Sequence, residues 1–135
     1  MEVPDQHDRI FDAALTNPFW YHFPSLMVNY RQELVIGFSG SSATEYAGAF
    51  YSWFANGAAS APPALLKTGE DYYHEQYVEE EGIFRWGDYS NTSLDPLDDV
   101  TCWTIQSYAL PKDEIAGGGA WRGVWGTWIQ EVKRQ

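Results

Sequence analysis

Apolar residues alternate with polar ones in short runs along this chain, and almost no stretch keeps the i, i+3, i+4 spacing of an amphipathic helix. Glycines and prolines, 12 and 7 of them, are scattered among the runs. The period of two predicts eight strands, over Arg9–Thr16, Pro24–Asn29, Glu33–Ser39, Tyr46–Phe54, Pro63–Lys67, Asn91–Leu94, Thr101–Ala109 and Trp121–Val132. Asn17-Pro18 breaks the first of them. Leu26 and Val28 share one face of the second, and Asn29-Tyr30-Arg31-Gln32 has the polar makeup of a hairpin turn, so the second and third strands are expected to pair antiparallel. The third, ELVIGFS, is apolar enough to be buried on both faces. Between strands lie a small polar loop at Ser39–Thr44 and an acidic loop at Gly69–Gly82. A turn follows at Asp95–Asp99, and Lys112–Gly119 reads as a flexible loop ending in three glycines. The strands fall into two units, about 21–68 and 85–132. A repeat of roughly 50–65 residues with four strands each is the pattern of β-propeller blades, and a β-sandwich has as many strands.

Composition narrows the partners more than the fold. A chain of 135 residues is one domain with a real core. Aromatics reach 17%, with 7 Trp, 9 Tyr and 7 Phe, and flat side chains favour a pleated surface. Eight Lys and Arg against 19 Asp and Glu leave a net charge of -11. Such a surface repels phosphate backbones and anionic lipid, which excludes nucleic acid and membrane surfaces and leaves cations, neutral sugars and basic peptides. Cys102 is the single cysteine, so no internal disulfide and no cysteine-based metal cluster form. It alternates with Trp103 in a strand and is expected to be a buried, inert thiol. No apolar run approaches the ~20 residues of a membrane span. The acidic opening MEVPDQHDRIF does not read as a signal peptide.

Three stretches carry a resemblance. His22-Phe23-Pro24-Ser25-Leu26, Val35-Ile36-Gly37-Phe38-Ser39 and Ser42-Ala43-Thr44-Glu45-Tyr46-Ala47 resemble one blade of a family of bacterial exported β-propeller proteins related to sialidase-like and Asp-box repeat proteins. Arg85-Trp86-Gly87-Asp88-Tyr89-Ser90, followed by Asp95-Pro96, Asp98-Asp99, Trp103-Thr104-Ile105-Gln106 and Tyr108, resembles the family's final blade, and Trp125-Gly126-Thr127-Trp128 its last strand. The resemblance spans about Tyr21 to Val132 and implies the C-terminal two blades of a propeller, and export. Ser93-x-Asp95 and Thr101-x-Trp103 match the ends of an Asp-box core, but the segment between them is longer and lacks its glycine. A sialidase site also needs an arginine cluster and a Tyr–Glu pair, which so few arginines cannot supply from one chain.

Candidate chemistry lies in four places. Asp95, Asp98 and Asp99 crowd one turn, where hard oxygens suit Ca²⁺ and where Asp equally caps backbone N–H groups. Arg85 and Asp88 flank Trp86-Gly87, as an anion holder and a base, or as a pair locking the loop while Trp86 packs between blades. Glu70, Asp71, His74, Glu75 and Glu79–Glu81 crowd a loop that is either a solvated face or a source of paired carboxylates. Tyr72, Tyr73 and Tyr77, with Tyr89, are exposed-ring candidates for stacking on a sugar, and otherwise cover a blade edge. His22 is expected to hydrogen-bond in or near the core, and Trp86, Trp103 and Trp125 to be buried. The resulting expectation is all-β, two four-stranded propeller-like blades in a non-catalytic binding or scaffold module for glycans or protein partners. The alternative is a fragment of a sialidase-like, glycoside-acting propeller enzyme. Two blades do not close a ring, so a cyclic homo-oligomer is expected, the trimer slightly ahead. There Arg9–Thr16 of a neighbour would supply the missing outer strand; the other course is a piece of a longer propeller.

Overall fold

The computed structural model describes residues 12, 14–55, 58–59, 62–74, 85–115 and 120–133. Among them the chain is all strand and connection, with no helix. The elements are β1 (Trp20–Val28), β2 (Leu34–Ser41), β3 (Gly48–Ala55), β4 (Ala58–Ala59), β5 (Ala64–Lys67), β6 (Asn91–Leu94), β7 (Cys102–Ile115) and β8 (Ala120–Val132). One antiparallel sheet runs β1-β2-β3, with β4 and β5 both pairing with β3; the other runs β6-β7-β8. Of the expected strand at Arg9–Thr16, the described part, Asp12 and Ala14–Thr16, forms no strand, and the rest lies outside the described residues. The second sheet has three strands instead of four. Lys112–Gly119 is not simply a loop: β7 continues to Ile115 and pairs with β8 as far as Ile115↔Ala120. Pro111 sits where that ladder shifts register, between Leu110 and Asp113, at a position where no N–H is needed.

The expected hairpin is present, with Val28 opposite Leu34 and Leu26 opposite Ile36. Asn29 makes its turn. Its side-chain oxygen accepts from the N–H of Arg31 and of Glu33, both at 3.0 Å, and its backbone N–H donates to the Glu33 carbonyl at 2.9 Å. β1 begins four residues earlier than its pattern suggests, because a bulge between His22 and Ser25 lets it bend past Pro24. Phe23 in that bulge takes a left-handed φ of 53°.

The sheets pack face to face, β1 over β6 and β2 and β3 over β7. One end of the interface is apolar: Val35, Trp53, Cys102 and Val132 are buried there, with Met27, Tyr51, Ala55 and Leu94 against them. The other is polar. Ser25 Oγ meets Thr92 Oγ1 at 2.8 Å, Thr92 meets Thr104 Oγ1 at 3.0 Å, and the Gln106 amide donates to Ser25 at 2.8 Å and Thr104 at 2.9 Å. Buried hydroxyls that bond one another avoid the penalty of unpaired polar groups. Cys102 is fully buried, as expected, and burial pushes its thiol above its ordinary value. Trp103 and Trp125 are not buried: they are 39% and 37% exposed on the outer face of the second sheet. Trp86 is half-buried, its indole bonded to Ser39 of β2.

Candidate functional site

β6 is short and pairs with β7 only from Cys102 to Ile105. Beyond Ile105 the edge of β7 is taken by loops instead of a strand. Ala109 donates its N–H to the Ala47 carbonyl and accepts from the Glu70 N–H, both at 2.8 Å. The segment leading into β6, residues 85–90, lies beside this overhang and builds a cleft with it. Trp86 anchors the segment: its indole N–H donates to Ser39 Oγ at 3.0 Å, and the Ser39 hydroxyl donates to the Ser107 carbonyl at 3.0 Å. A tryptophan from the loop, a serine from β2 and the backbone of β7 are thereby tied in one chain of bonds. Gly87 has a φ of 83°, and a Cβ there would lie 2.2 Å from the Phe23 ring. Glycine alone satisfies both the left-handed conformation and that close approach.

Around this anchor stand three further rings and one ion pair. Tyr73 meets Trp86 edge-on, centroids 5.0 Å apart. Tyr89 stacks on Trp125 of β8 at 4.8 Å with 21° between planes, and Tyr89 is 57% exposed. Arg85 Nη2 donates to Asp88 Oδ2 at 2.7 Å, in a pair open to solvent. The cleft is open to solvent and has a volume of ≈ 230 Å³. Four of the sequence candidates, Tyr73, Arg85, Asp88 and Tyr89, therefore converge. Tyr72 does not join them: the Lys112 ammonium lies 4.5 Å above its ring and donates to its hydroxyl at 3.1 Å. Successive residues of an extended segment face opposite ways. Tyr77 lies outside the described residues, as do Glu75 and Glu79–Glu81. The pattern missed Trp125, expected in the core, and Ser107. The available signal was parity: Trp125 and Trp128 are an odd number of residues apart in one strand, so they face opposite sides.

The Asp turn is occupied by its own backbone. Asp95 Oδ1 accepts from the Leu97 N–H at 2.9 Å, and Oδ2 from the Trp103 indole at 3.0 Å. Asp98 accepts the Thr101 hydroxyl at 2.7 Å and the N–H groups of Val100 and Thr101 at 2.9 and 2.8 Å. The Thr101 hydroxyl, then the two N–H groups, hold the Asp98 carboxyl below its ordinary range. Asp99 takes a left-handed φ of 54°, which closes the turn. Among the described residues no three His, Cys, Asp or Glu side chains converge as metal ligands.

His22 lies behind the cleft, edge-on to Phe23 at 5.4 Å and Trp86 at 6.4 Å. Its Nδ1 is buried and makes none of the expected hydrogen bonds among the described residues. Burial holds the imidazole below its usual 6.5. The unfolded chain therefore binds the proton more readily, and stability falls as pH drops through 6.5 toward the lower folded value. Urea unfolding at pH 7.5 and 5.0 is expected to show this loss, and His22→Gln to shrink it; an equal loss in that variant would place the acid sensitivity elsewhere.

Comparison of the chain with protein-family models, with curated proteins and with solved structures gave no match.

Proposed function

We propose that this chain is a pair of propeller-type blades forming a non-catalytic binding module, and that the cleft beside Trp86 takes a neutral carbohydrate ring. The stacked Tyr89–Trp125 pair next to the Arg85–Asp88 ion pair carries this reading. The apolar face of a pyranose packs on an exposed aromatic ring, while its hydroxyls bond a guanidinium and a carboxylate at the rim. A volume of ≈ 230 Å³ falls below the ~300–1,000 Å³ of drug-sized pockets and suits one sugar unit. The net charge of -11 disfavours acidic sugars. Asp88 is the one carboxylate lining the cleft among the described residues, and Arg85 already holds it. Glycoside cleavage uses two carboxyl groups about 5–9 Å apart, so binding fits better than hydrolysis. The propeller part of the reading rests on two face-to-face antiparallel sheets, and on the RWGDYS block that both builds the cleft and carries the family resemblance.

Calorimetric titration with a panel of neutral mono- and oligosaccharides tests it. At least one is expected to bind. Trp125→Ala and Tyr89→Ala should each weaken binding ~5-fold, and Tyr72→Ala should leave it unchanged, since a lost stacking contact is worth roughly 1 kcal/mol. No binding across the panel would refute the carbohydrate assignment. Turnover of chromogenic glycosides that Asp88→Asn abolishes would establish the glycoside-acting alternative.

A further inference from the structure

A second depression, of ≈ 320 Å³, shares no lining residue with the carbohydrate cleft. Phe50 is its floor. That ring is buried, and it lies an odd number of positions from the core residue Trp53, so it faces away from the second sheet. The register sets Leu65 of β5 opposite it. The Phe19 ring stands at 67° to the Phe50 ring, centroids 5.5 Å apart, and the half-exposed Tyr46 ring, Glu45 and Thr68 complete the lining. These walls come from separate segments that are fastened together. Asn17, at a left-handed φ of 56°, donates its amide to Thr44 Oγ1 at 2.6 Å and accepts the Ala43 N–H at 2.9 Å. The segment that leads to Phe19 is thereby tied to the loop that carries Glu45 and Tyr46. The Ser42 N–H closes that loop on the Glu45 carbonyl at 3.1 Å. From the other side Gly69 packs on Tyr46: a Cβ there would lie 2.7 Å from the Tyr46 Cβ.

The charge of this depression is one-sided. Among the described residues Glu45 is the one charged group that lines it, and its carboxylate makes no hydrogen bond or ion pair there. Asp12 stands behind the wall: it accepts the Phe19 N–H at 3.3 Å, and, after burial, it is what pushes the hydroxyl of Tyr21, stacked on Phe19, above its ordinary value. Lys112, a cation whose field reaches Tyr46, is held instead on the Tyr72 ring. We propose that the depression binds a trimethylammonium head, carried either by a small molecule or by a methylated lysine side chain. A hard metal ion takes 6–8 oxygens, which a lining of three rings and a leucine does not provide. A primary ammonium brings three N–H donors that need acceptors. A trimethylammonium brings none. Its methyl groups pack on Phe19, Tyr46, Phe50 and Leu65, while its spread charge is attracted by the ring faces and by Glu45. The fastened walls are set before the ligand arrives, which lowers the ordering cost of binding. The net charge of -11 draws cations toward the surface. The volume lies at the small end of the ~300–1,000 Å³ of ligand pockets, as a compact head group requires. None of this uses the carbohydrate cleft, so failure of either proposal leaves the other standing.

Calorimetric titration of the purified chain with choline, and with trimethyllysine blocked at both ends, tests the head group and its carrier. Both are expected to bind, and the tighter of the two identifies the carrier. Ethanolamine, and the neutral isostere of choline in which a tert-butyl group replaces the trimethylammonium, are each expected to bind at least ~10-fold more weakly, since one lacks the methyl groups and the other the charge. Tyr46→Ala and Glu45→Gln should each weaken choline binding ~5-fold, the worth of one cation–π contact or one exposed charge pair. Glu45→Lys, which sets a resident ammonium in the depression, should abolish it. Tyr30→Ala, which removes an exposed ring elsewhere, should leave it unchanged. Glu45 and Tyr46 are exposed, so circular dichroism is expected to stay the same in these variants; if Tyr46→Ala loses its fold, Tyr46→Leu keeps the bulk and removes the ring. Absence of binding by both trimethylammonium ligands would overturn the proposal. So would equal affinity for the tert-butyl isostere, which would make the depression merely apolar, or equal affinity for ethanolamine, which would make the carboxylate alone the attraction. Choline binding that survives both Glu45→Lys and Tyr46→Ala would place the cation elsewhere and overturn it as well.

Discussion

Replacing Gly37 with alanine is expected to destabilise the protein by roughly 3–5 kcal/mol. Gly37 faces the second sheet from the middle of β2, where a Cβ would lie 2.1 Å from Thr104 Oγ1 and 2.2 Å from Gln106 Nε2. Neither atom can give way freely. Thr104 bonds Thr92, and Gln106 bonds Ser25 and Thr104. Overpacking a tight interface costs ~1–3 kcal/mol, and each lost hydrogen bond adds about 1 kcal/mol. Urea unfolding measures the effect as a lower midpoint at unchanged slope. The double variant Gly37→Ala with Gln106→Ala is expected to be more stable than the sum of the singles, because removing the amide clears space for the methyl group. A loss below ~1 kcal/mol in the single variant would mean that the sheets separate easily and that the polar layer is not what spaces them.

Asn29→Ala is expected to cost about 3 kcal/mol. The side chain is buried and has four partners at once. Besides accepting two backbone N–H groups within its own turn, it donates to Glu33 Oε2 at 2.9 Å and to the Val100 carbonyl at 3.0 Å. The last bond crosses to the turn of the second sheet, and the Tyr30 N–H follows it to the Asp99 carbonyl at 2.9 Å. Alanine removes the donor from a buried carboxylate and the acceptor from two N–H groups, and bonds to a charged group are the costly ones to lose. Asn29→Asp keeps the acceptor but sets a carboxylate against Glu33. Its deficit relative to wild type is expected to narrow between pH 7 and pH 4, as protonation relieves that repulsion. Matching deficits at both pH values would show that charge plays no part there.

Much of the strand content follows from local chemistry. Alternation along Glu33–Ser39, the polar quartet Asn29–Gln32 and the Asp-rich turn at 95–99 each specify a conformation through neighbours in sequence. The strands and turns they predict are in place. Parity within a strand also places Leu26 with Val28, but it cannot say whether their face meets another sheet, and here it meets none. The three tryptophans show the same limit. An aromatic side chain packs equally well against a core, a neighbouring loop or a partner, so its type says that it seeks contact without saying with what. Trp86 found Ser39 across 47 positions of sequence, whereas Trp103 and Trp125 stayed on the outside. The cleft is a tertiary product too. Arg85, Asp88 and Tyr89 are neighbours in the chain, but Tyr73, Ser107 and Trp125 reach them only because β7 runs past the end of β6 and leaves an edge for the loops to fill. Strand lengths of that kind are decided by which backbone groups find partners after the sheets have packed. Hydrogen bonding between distant segments is a property of the folded arrangement, and no local pattern encodes it.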